Sequence, residues 1–221
     1  MKEILIAPSI LSADFSKIGE EVENISKDGA DVIHLDVMDG VFVKNITFGP
    51  KFIKDIRGRS DKIFDAHLMI VKPWNYIEKF AEAGADYITV HYEACGDRLK
   101  ETLREIKRLG VKCGAVINPD TEVKEVKDVI EECDMFLLMS VFPGFGGQKF
   151  IESVIPKISE VKEIVKKAGA NTLVEIDGGI TSENVGAAKR AGANVIVAGN
   201  TIFKEKDRAA IISKLRNFEL K

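Results

Sequence analysis

The sequence predicts one α/β domain, a single (β/α)8 TIM barrel over residues 1–221. Eight short apolar runs alternate with amphipathic segments, and this alternation is typical of parallel sheets covered by helices. The chain has 221 residues, near the length of about 250 residues usual for one barrel, and no linker or composition break divides it. No GxGxxG motif follows the first apolar run, which disfavours a doubly wound dinucleotide-binding sheet.

A repeated glycine signal separates the predicted helices from the strands that follow them. Gly29, Gly84, Gly169 and Gly192 each stand between a helix-like stretch and an apolar run. Glycine just beyond a helix end adopts the left-handed conformation that terminates many helices, so each following run is predicted as a strand. The predicted strands cover residues 4–9, 31–37, 62–68, 86–91, 111–117, 134–140, 172–177 and 194–198.

The segments between these strands have the period of amphipathic helices. Leu99, Leu103 and Ile106, for example, recur at helical spacing among charged residues. Pro73 is predicted in the first turn of one helix and Thr181 at the start of another. The helices predicted in this way include residues 15–28, 73–83, 97–109, 150–168 and 181–191.

Composition and charge exclude several classes of protein. The formal net charge of −3 disfavours broad binding to nucleic acid or to anionic membranes. No apolar run approaches the roughly 18 residues of a membrane span, and Pro8 closes a first run too short for a signal peptide. Cys95, Cys113 and Cys133 form no CxxC pair, so we expect reduced cysteines and a cytoplasmic location.

Polar side chains end several of the predicted strands on the same face. Residues two apart share a face of a strand, which places His34 with Asp36, and aligns His67 and Asp177 at the ends of two other strands. Barrel enzymes carry their chemistry at these carboxyl ends. A single histidine in a strand is more often a core residue than a ligand, and a single buried aspartate is usually paired or caps a turn. Two histidines and two carboxylates at one opening, however, suit a divalent metal. His91 is expected to line the opening without binding the metal.

Glycine-rich loops follow the last three strands. They are Pro143–Gln148, Asp177–Ile180 and Ala198–Asn200. Backbone N–H groups of such loops bind phosphate, and barrels often bind phosphate after strands seven and eight. Met38, Met69 and Met139 also stand at carboxyl ends of strands, where they either fill the core or exclude water from a reacting carbon.

Five ordered motifs carry a resemblance to a known family. They are Ser9–Phe15, His34–Gly40, Asp65–Met69, Pro143–Gln148 and Asp177–Ile180. Together they resemble the ribulose-phosphate 3-epimerase family, and the resemblance runs from about Ile6 to Phe203. It implies a ribulose-phosphate-binding barrel and an isomerase that interconverts D-ribulose 5-phosphate and D-xylulose 5-phosphate in the pentose phosphate pathway.

The resemblance also implies roles for individual residues. His34, Asp36, His67 and Asp177 would bind one divalent metal per subunit (Zn, Mn, Fe(II) or Co), with Asp36 the proton acceptor and Asp177 the proton donor. The residues implied in substrate binding are Ser9, His67, Gly144, Phe145, Gly146, Gly147, Asp177, Gly178, Gly179, Gly199 and Asn200. The implied site-lining residues beside the reacting carbon are Met38, Met69 and Met139.

Three positions depart from the family pattern and leave alternatives open. Lys44 replaces a usual proline, Phe142 a usual asparagine and Asn200 a usual serine. The alternative substrate is a hexulose phosphate such as D-allulose 6-phosphate. A Schiff-base aldolase would need a lysine at a strand end, and none is predicted there; a non-catalytic sugar-phosphate binder would not need the acidic pair. A phosphorylated ketose is the expected partner and a homo-oligomer the expected assembly.

Overall fold

The computed structural model describes residues 4–217 and contains eight parallel strands. The strands are β1 Leu5–Pro8, β2 Val32–Met38, β3 Ile63–Met69, β4 Tyr87–His91, β5 Lys112–Ile117, β6 Met135–Met139, β7 Leu173–Asp177 and β8 Val195–Ala198. Their order is β1-β8-β7-β6-β5-β4-β3-β2, and a parallel bridge between Ser9 and His34 joins the two edges. The predicted (β/α)8 barrel is therefore confirmed, and each predicted strand ends within one residue of an observed one.

Helices follow the strands on the outside of the barrel. The α-helices are α1 Ile18–Lys27, α2 Pro50–Arg57, α3 Ile77–Glu82, α4 Tyr92–Cys95, α5 Leu99–Arg108, α6 Lys127–Ile130, α7 Ile155–Lys167, α8 Val185–Ala191, α9 Asn200–Phe203 and α10 Arg208–Arg216. The 3-10 turns are Ile10–Ser12, Phe15–Lys17, Pro73–Asn75, Gly96–Arg98, Val123–Val126 and Glu152–Val154. Pro73 opens a 3-10 turn as predicted. The prediction that a helix starts at Thr181 was four residues early, because the Asn184 side chain accepts from the Thr181 N–H and caps a turn first.

The two faces of the strands meet different surroundings. Ile33 and Leu35 of β2 are fully buried in the core between sheet and helices, together with Ile25 of α1. Inside the barrel, Val32 belongs to a separate apolar layer near the amino ends of the strands. The interior becomes polar one step further along, at His34, so the apolar layer forms a floor beneath a buried polar site.

Other features concern the whole described chain. Within residues 4–217, none of the helices combines the length and apolar content needed to cross a membrane. Cys95, Cys113 and Cys133 are buried free thiols. The predicted domain of residues 1–221 extends at both ends beyond the residues that the structure describes.

Candidate active site

Four side chains converge inside the carboxyl end of the barrel. His34 Nε2 lies 3.3 Å from Asp36 Oδ1 and 3.3 Å from His67 Nδ1. His67 Nδ1 lies 3.2 Å from the same oxygen of Asp36. Asp177 Oδ2 completes the set at 3.8 Å from His34 Nε2 and 3.9 Å from His67 Nδ1. The structure thus brings the four predicted metal ligands into one cluster.

The spacing of these four atoms fits a single divalent cation. Ligands at about 2.0–2.2 Å from a tetrahedral metal lie about 3.3–3.6 Å from one another, and the observed distances fall close to that range. His34 Nε2, His67 Nδ1 and Asp36 Oδ1 also face one shared space, where a single proton can satisfy only one pair of them. A cation would satisfy all of them together, so the donor set suits a metal better than hydrogen bonds alone.

Strand register explains why these residues meet. Asp36 of β2 is directly paired with His67 of β3, and both point inward because side chains alternate along a strand. Asp177 is the last residue of β7. Ser9, just beyond β1, donates its hydroxyl to Asp36 Oδ2 at 2.5 Å. Asp36 is therefore held through one oxygen while its other oxygen belongs to the cluster.

The two aspartates have opposite electrostatic surroundings. Burial, the largest effect, acts to raise the pKa of Asp36, but the charge of His34 and hydrogen bonds from His34 and His67 lower that pKa far below its usual range. Burial and the nearby charge of Asp36 raise the pKa of Asp177 to about 7. One carboxyl is thus disposed to be ionised and the other to carry a proton, a division typical of paired acid–base groups.

The two histidines differ in the same way. Burial lowers the pKa of His34, but the carboxylates of Asp36, Asp65 and Glu175 outweigh it and raise the pKa well above the usual value. Burial, only partly opposed by Asp36, lowers the pKa of His67 to about 4. Without a bound ion the cluster thus holds a proton on His34 and leaves His67 neutral. A bound cation would have to displace the proton from His34 Nε2, because histidine binds metals in its neutral form.

A second layer of polar side chains lies under the cluster. His34 Nδ1 is 2.8 Å from Asp65 Oδ2 and 3.6 Å from Glu175 Oε1, and all three residues are fully buried. Burial and the charge of Asp65 raise the pKa of Glu175 to about 8. Sequence reasoning did not single out Asp65 or Glu175, although each stands two residues before a predicted ligand and so shares its face.

A cavity of about 220 Å³ opens above the cluster. Asp36 and Asp177 reach its wall, whereas His34 and His67 do not. His67, expected also to bind substrate, is thus the one predicted substrate-binding residue that does not line the cavity. The predicted substrate-binding and site-lining residues on the wall are Ser9, Gly144, Phe145, Gly146, Gly147, Asp177, Gly178, Gly179, Gly199, Asn200, Met38, Met69 and Met139. Its size is below the about 300–1,000 Å³ typical of drug-sized ligands and suits a small metabolite.

Two predicted glycines lie in close contact with neighbouring segments of the cavity wall. Gly179 has φ +65°, and a Cβ there would lie 2.5 Å from the backbone nitrogen of Phe150. A Cβ on Gly199 would lie 2.4 Å from the hydroxyl of Ser12. The loop after β7 therefore packs closely against the loop after β6, and the loop after β8 packs against the segment after β1, at the cavity wall.

The structure corrects some expectations about the cavity wall. His91 is fully buried behind His67 and does not line the cavity. Of the three departures from the family pattern, Asn200 lines the cavity, but the exposed residues Lys44 and Phe142 do not.

Sequence reasoning left some wall residues out of the site. The additional residues are Leu11, Ser12, Val141, Pro143, Gln148, Ile180, Thr181, Val197, Ala198, Thr201 and Lys204. Ser12 and Gln148 lie within the motifs that carry the family resemblance, so these motifs could have identified them. Lys204 follows the short helix after β8, and nothing in the local sequence marks it.

Comparison with known proteins agrees with the geometry. The model of the family described as "Ribulose-phosphate 3 epimerase family" matches residues 5–203. The chain belongs to this family. A Bacillus subtilis (strain 168) protein named ribulose-phosphate 3-epimerase is 50% identical over 214 residues, covering 96% of this chain and 98% of that protein. An Escherichia coli (strain K12) protein of the same name is 42% identical over 218 residues, covering 98% and 96% of the two chains.

Solved structures with little sequence similarity share the fold. KGPDC from Streptococcus mutans superposes with a TM-score of 0.74 at 14% identity, covering 98% of this chain and 97% of that one. The 3-hexulose-6-phosphate synthase from Salmonella typhimurium has a TM-score of 0.73 at 18% identity, covering 96% and 97%. At such low identity these likenesses show the barrel alone.

Proposed function

We propose that this chain is a metal-dependent isomerase that interconverts D-ribulose 5-phosphate and D-xylulose 5-phosphate. Membership of the ribulose-phosphate 3-epimerase family supports it, as do relatives of that name at 42% and 50% identity. One observation carries the proposal. Asp36 and Asp177 belong to one cluster of four possible metal ligands and reach the wall of the same cavity.

The proposed metal site consists of His34, Asp36, His67 and Asp177. A divalent ion bound there would act as a Lewis acid toward the ketone oxygen of the substrate and so stabilise the enediolate. Mixed histidine and carboxylate ligation suits Zn²⁺, Mn²⁺, Fe²⁺ and Co²⁺, and one such ion per subunit is the cofactor we propose.

The two aspartates divide the proton transfer between them. Inversion at carbon 3 breaks the C–H bond next to the ketone and forms a new one on the opposite face. Asp36 Oδ2 lies outside the cluster of donor atoms and accepts from the Ser9 hydroxyl, so this oxygen is the one placed to take the proton. Asp177 Oδ1 is likewise outside the cluster and would return a proton from the other side. Positioned groups of this kind contribute about 10²–10⁴-fold each.

The remaining wall residues bind the sugar and keep water out. Met38, Met69 and Met139 are at most 4% exposed and line the cavity beside the aspartates. They would surround the reacting carbon with apolar groups. We assign the phosphate to the glycine-rich loops 177–180 and 198–200, whose backbone N–H groups suit an anion.

The test is an isotope experiment on the purified protein. We expect protein supplied with a divalent metal and D-ribulose 5-phosphate in D₂O to form D-xylulose 5-phosphate, with deuterium at carbon 3 visible by NMR. Product without deuterium would exclude this proton transfer, and no product would exclude the function. The same assay with D-allulose 6-phosphate measures the preference for pentulose over hexulose phosphate, and we expect the pentulose to react faster.

Assembly and location are also part of the proposal. We propose a homo-oligomer, the symmetric assembly of one chain that most soluble oligomers form, and light scattering on the purified protein measures its mass. A cytoplasmic location is proposed from the three free cysteines, and fractionation of the source cells tests it.

A further inference from the structure

All three histidines of the chain lie in one row across the site. The chain has three histidines, and they come from the neighbouring strands β2, β3 and β4. His67 Nδ1 is 3.3 Å from His34 Nε2, and His67 Nε2 is 2.8 Å from His91 Nε2. All three residues are fully buried. His34 and His67 belong to the proposed metal site, which leaves the role of His91 to be explained.

We propose that His91 and Glu93 are positioning residues that hold His67 with its Nδ1 directed at the metal. The two residues are called here the His67 support. This inference rests on the proposed function, because it concerns the same metal site. Neither residue lines the cavity, so the His67 support would act on the metal only through His67.

The direction of the hydrogen bonds follows from the chemistry of the imidazole ring. His67 Nδ1 is the nitrogen that lies near Asp36, Asp177 and His34 in the cluster, and a nitrogen that binds a metal carries no proton. A neutral His67 then carries its proton on Nε2 and donates it to His91 Nε2. His91 must in turn carry its own proton on Nδ1, which is 3.2 Å from Glu93 Oε2. The row therefore has one consistent set of protons, ending on a carboxylate.

Glu93 is itself firmly held. Its second oxygen, Oε1, accepts from the backbone N–H of Asn118 at 2.8 Å and from the hydroxyl of Thr121. The ring of Phe42 packs against His91 with 4.8 Å between centroids. The carboxylate is thus anchored to the loop after β5, and the apolar ring shields the histidine pair from water.

A comparison within the site supports this role. His34 has a carboxylate directly on its second nitrogen, Asp65 Oδ2 at 2.8 Å. Metal-binding histidines usually donate their second N–H to such a group, which fixes the ring and the position of its proton. His67 has no direct carboxylate on Nε2 among the described residues. His91 and Glu93 supply the same function one ring further away.

The wild-type protein provides the first test. Because the chain has three histidines, ¹⁵N labelling of histidine gives a spectrum in which each ring can be assigned. In the Zn²⁺-loaded protein we expect His67 to be protonated at Nε2 and His91 at Nδ1. A His91 protonated at Nε2 would overturn the proposal, and this result requires no variant to fold.

The second test measures Zn²⁺ affinity by competition with a chromogenic chelator. We expect Glu93→Gln to weaken Zn²⁺ binding about tenfold, the lower end of the cost of losing a partner bonded directly to a ligand, because Glu93 acts through His91. Glu93→Asp should recover part of the loss. The matched control is Glu122→Gln, which removes one negative charge from a side chain 61% exposed and paired only with Lys157 among the described residues. The control should bind Zn²⁺ like the wild type.

The outcomes separate this inference from the proposed function. If the wild type binds no Zn²⁺, the metal site of the proposed function fails and the His67 support fails with it. If the wild type binds Zn²⁺ and Glu93→Gln binds it within about twofold of the same affinity, the His67 support alone is wrong. In that case Glu93 serves only to anchor Asn118 and Thr121, and a lower melting temperature would be its sole effect.

Discussion

The base and the rim of the cavity are built in different ways. The base consists of His34, Asp36, His67 and Asp177, which lie on strands and are held by sheet register. The rim consists of the loops after β6, β7 and β8, where residues such as Phe145 are more than half exposed. Strands fix atoms more precisely than loops do, so the base suits bond-making chemistry and the rim suits binding.

The division between base and rim leads to a specific expectation about kinetics. A change in the base should alter metal affinity or the rate of the chemical step, while a change in the rim should alter substrate binding and leave the metal in place. Four substitutions test this expectation: Asp177→Asn, Gly179→Ala, Asp65→Asn and Lys204→Ala.

The largest effect is expected for Asp177→Asn. The amide cannot return a proton to carbon 3, so kcat should fall by about 10²–10⁴-fold or more while the fold is retained. Steady-state kinetics and circular dichroism measure the two effects. Asp55→Asn is the control, since Asp55 is an exposed partner of Lys51 on α2. Turnover near the wild-type rate would remove Asp177 from the mechanism.

The base was predictable from sequence because two simple regularities act together there. Alternation along strands places His34 with Asp36, and the carboxyl-end rule for barrels brings His67 to the same place. The rim was less predictable, since Lys204 reaches the wall through the packing of a short helix that no local pattern encodes. The proposed role of His91 was also not predicted. His67, on the adjacent strand, lies between His91 and the cavity.

A rim substitution, Gly179→Ala, should sharpen the contrast with the base. The added Cβ would meet the backbone nitrogen of Phe150 at 2.5 Å, and the φ of +65° disfavours alanine. The displaced loop should lower kcat/KM about 10²-fold, while Zn²⁺ affinity stays unchanged.

The matched control for this substitution is Gly58→Ala. Gly58 ends α2 with φ −71°, and a Cβ added there would meet no atom of the described residues within 4 Å. Its kinetics should equal those of the wild type. Loss of Zn²⁺ binding in Gly179→Ala would show that base and rim are not separable.

Asp65→Asn tests the base through the carboxylate that lies beneath His34. The substitution keeps the shape of the side chain but removes the negative charge 2.8 Å from His34 Nδ1. Zn²⁺ affinity should fall about 10–100-fold, measured by chelator competition, and KM at saturating metal should change little. A variant with normal Zn²⁺ affinity but raised KM would reverse the assignment of base and rim.

The smallest effect is expected at the outer edge of the rim, for Lys204→Ala. Lys204 lines the cavity and is exposed, so water and salt screen its attraction for a phosphate, and exposed ion pairs are worth little. KM should rise by about two- to fivefold at low ionic strength, with kcat unchanged. The difference should shrink as salt is added, because the screening length is about 10 Å at 0.1 M. A fall in kcat that salt does not affect would instead place Lys204 with the chemistry of the base.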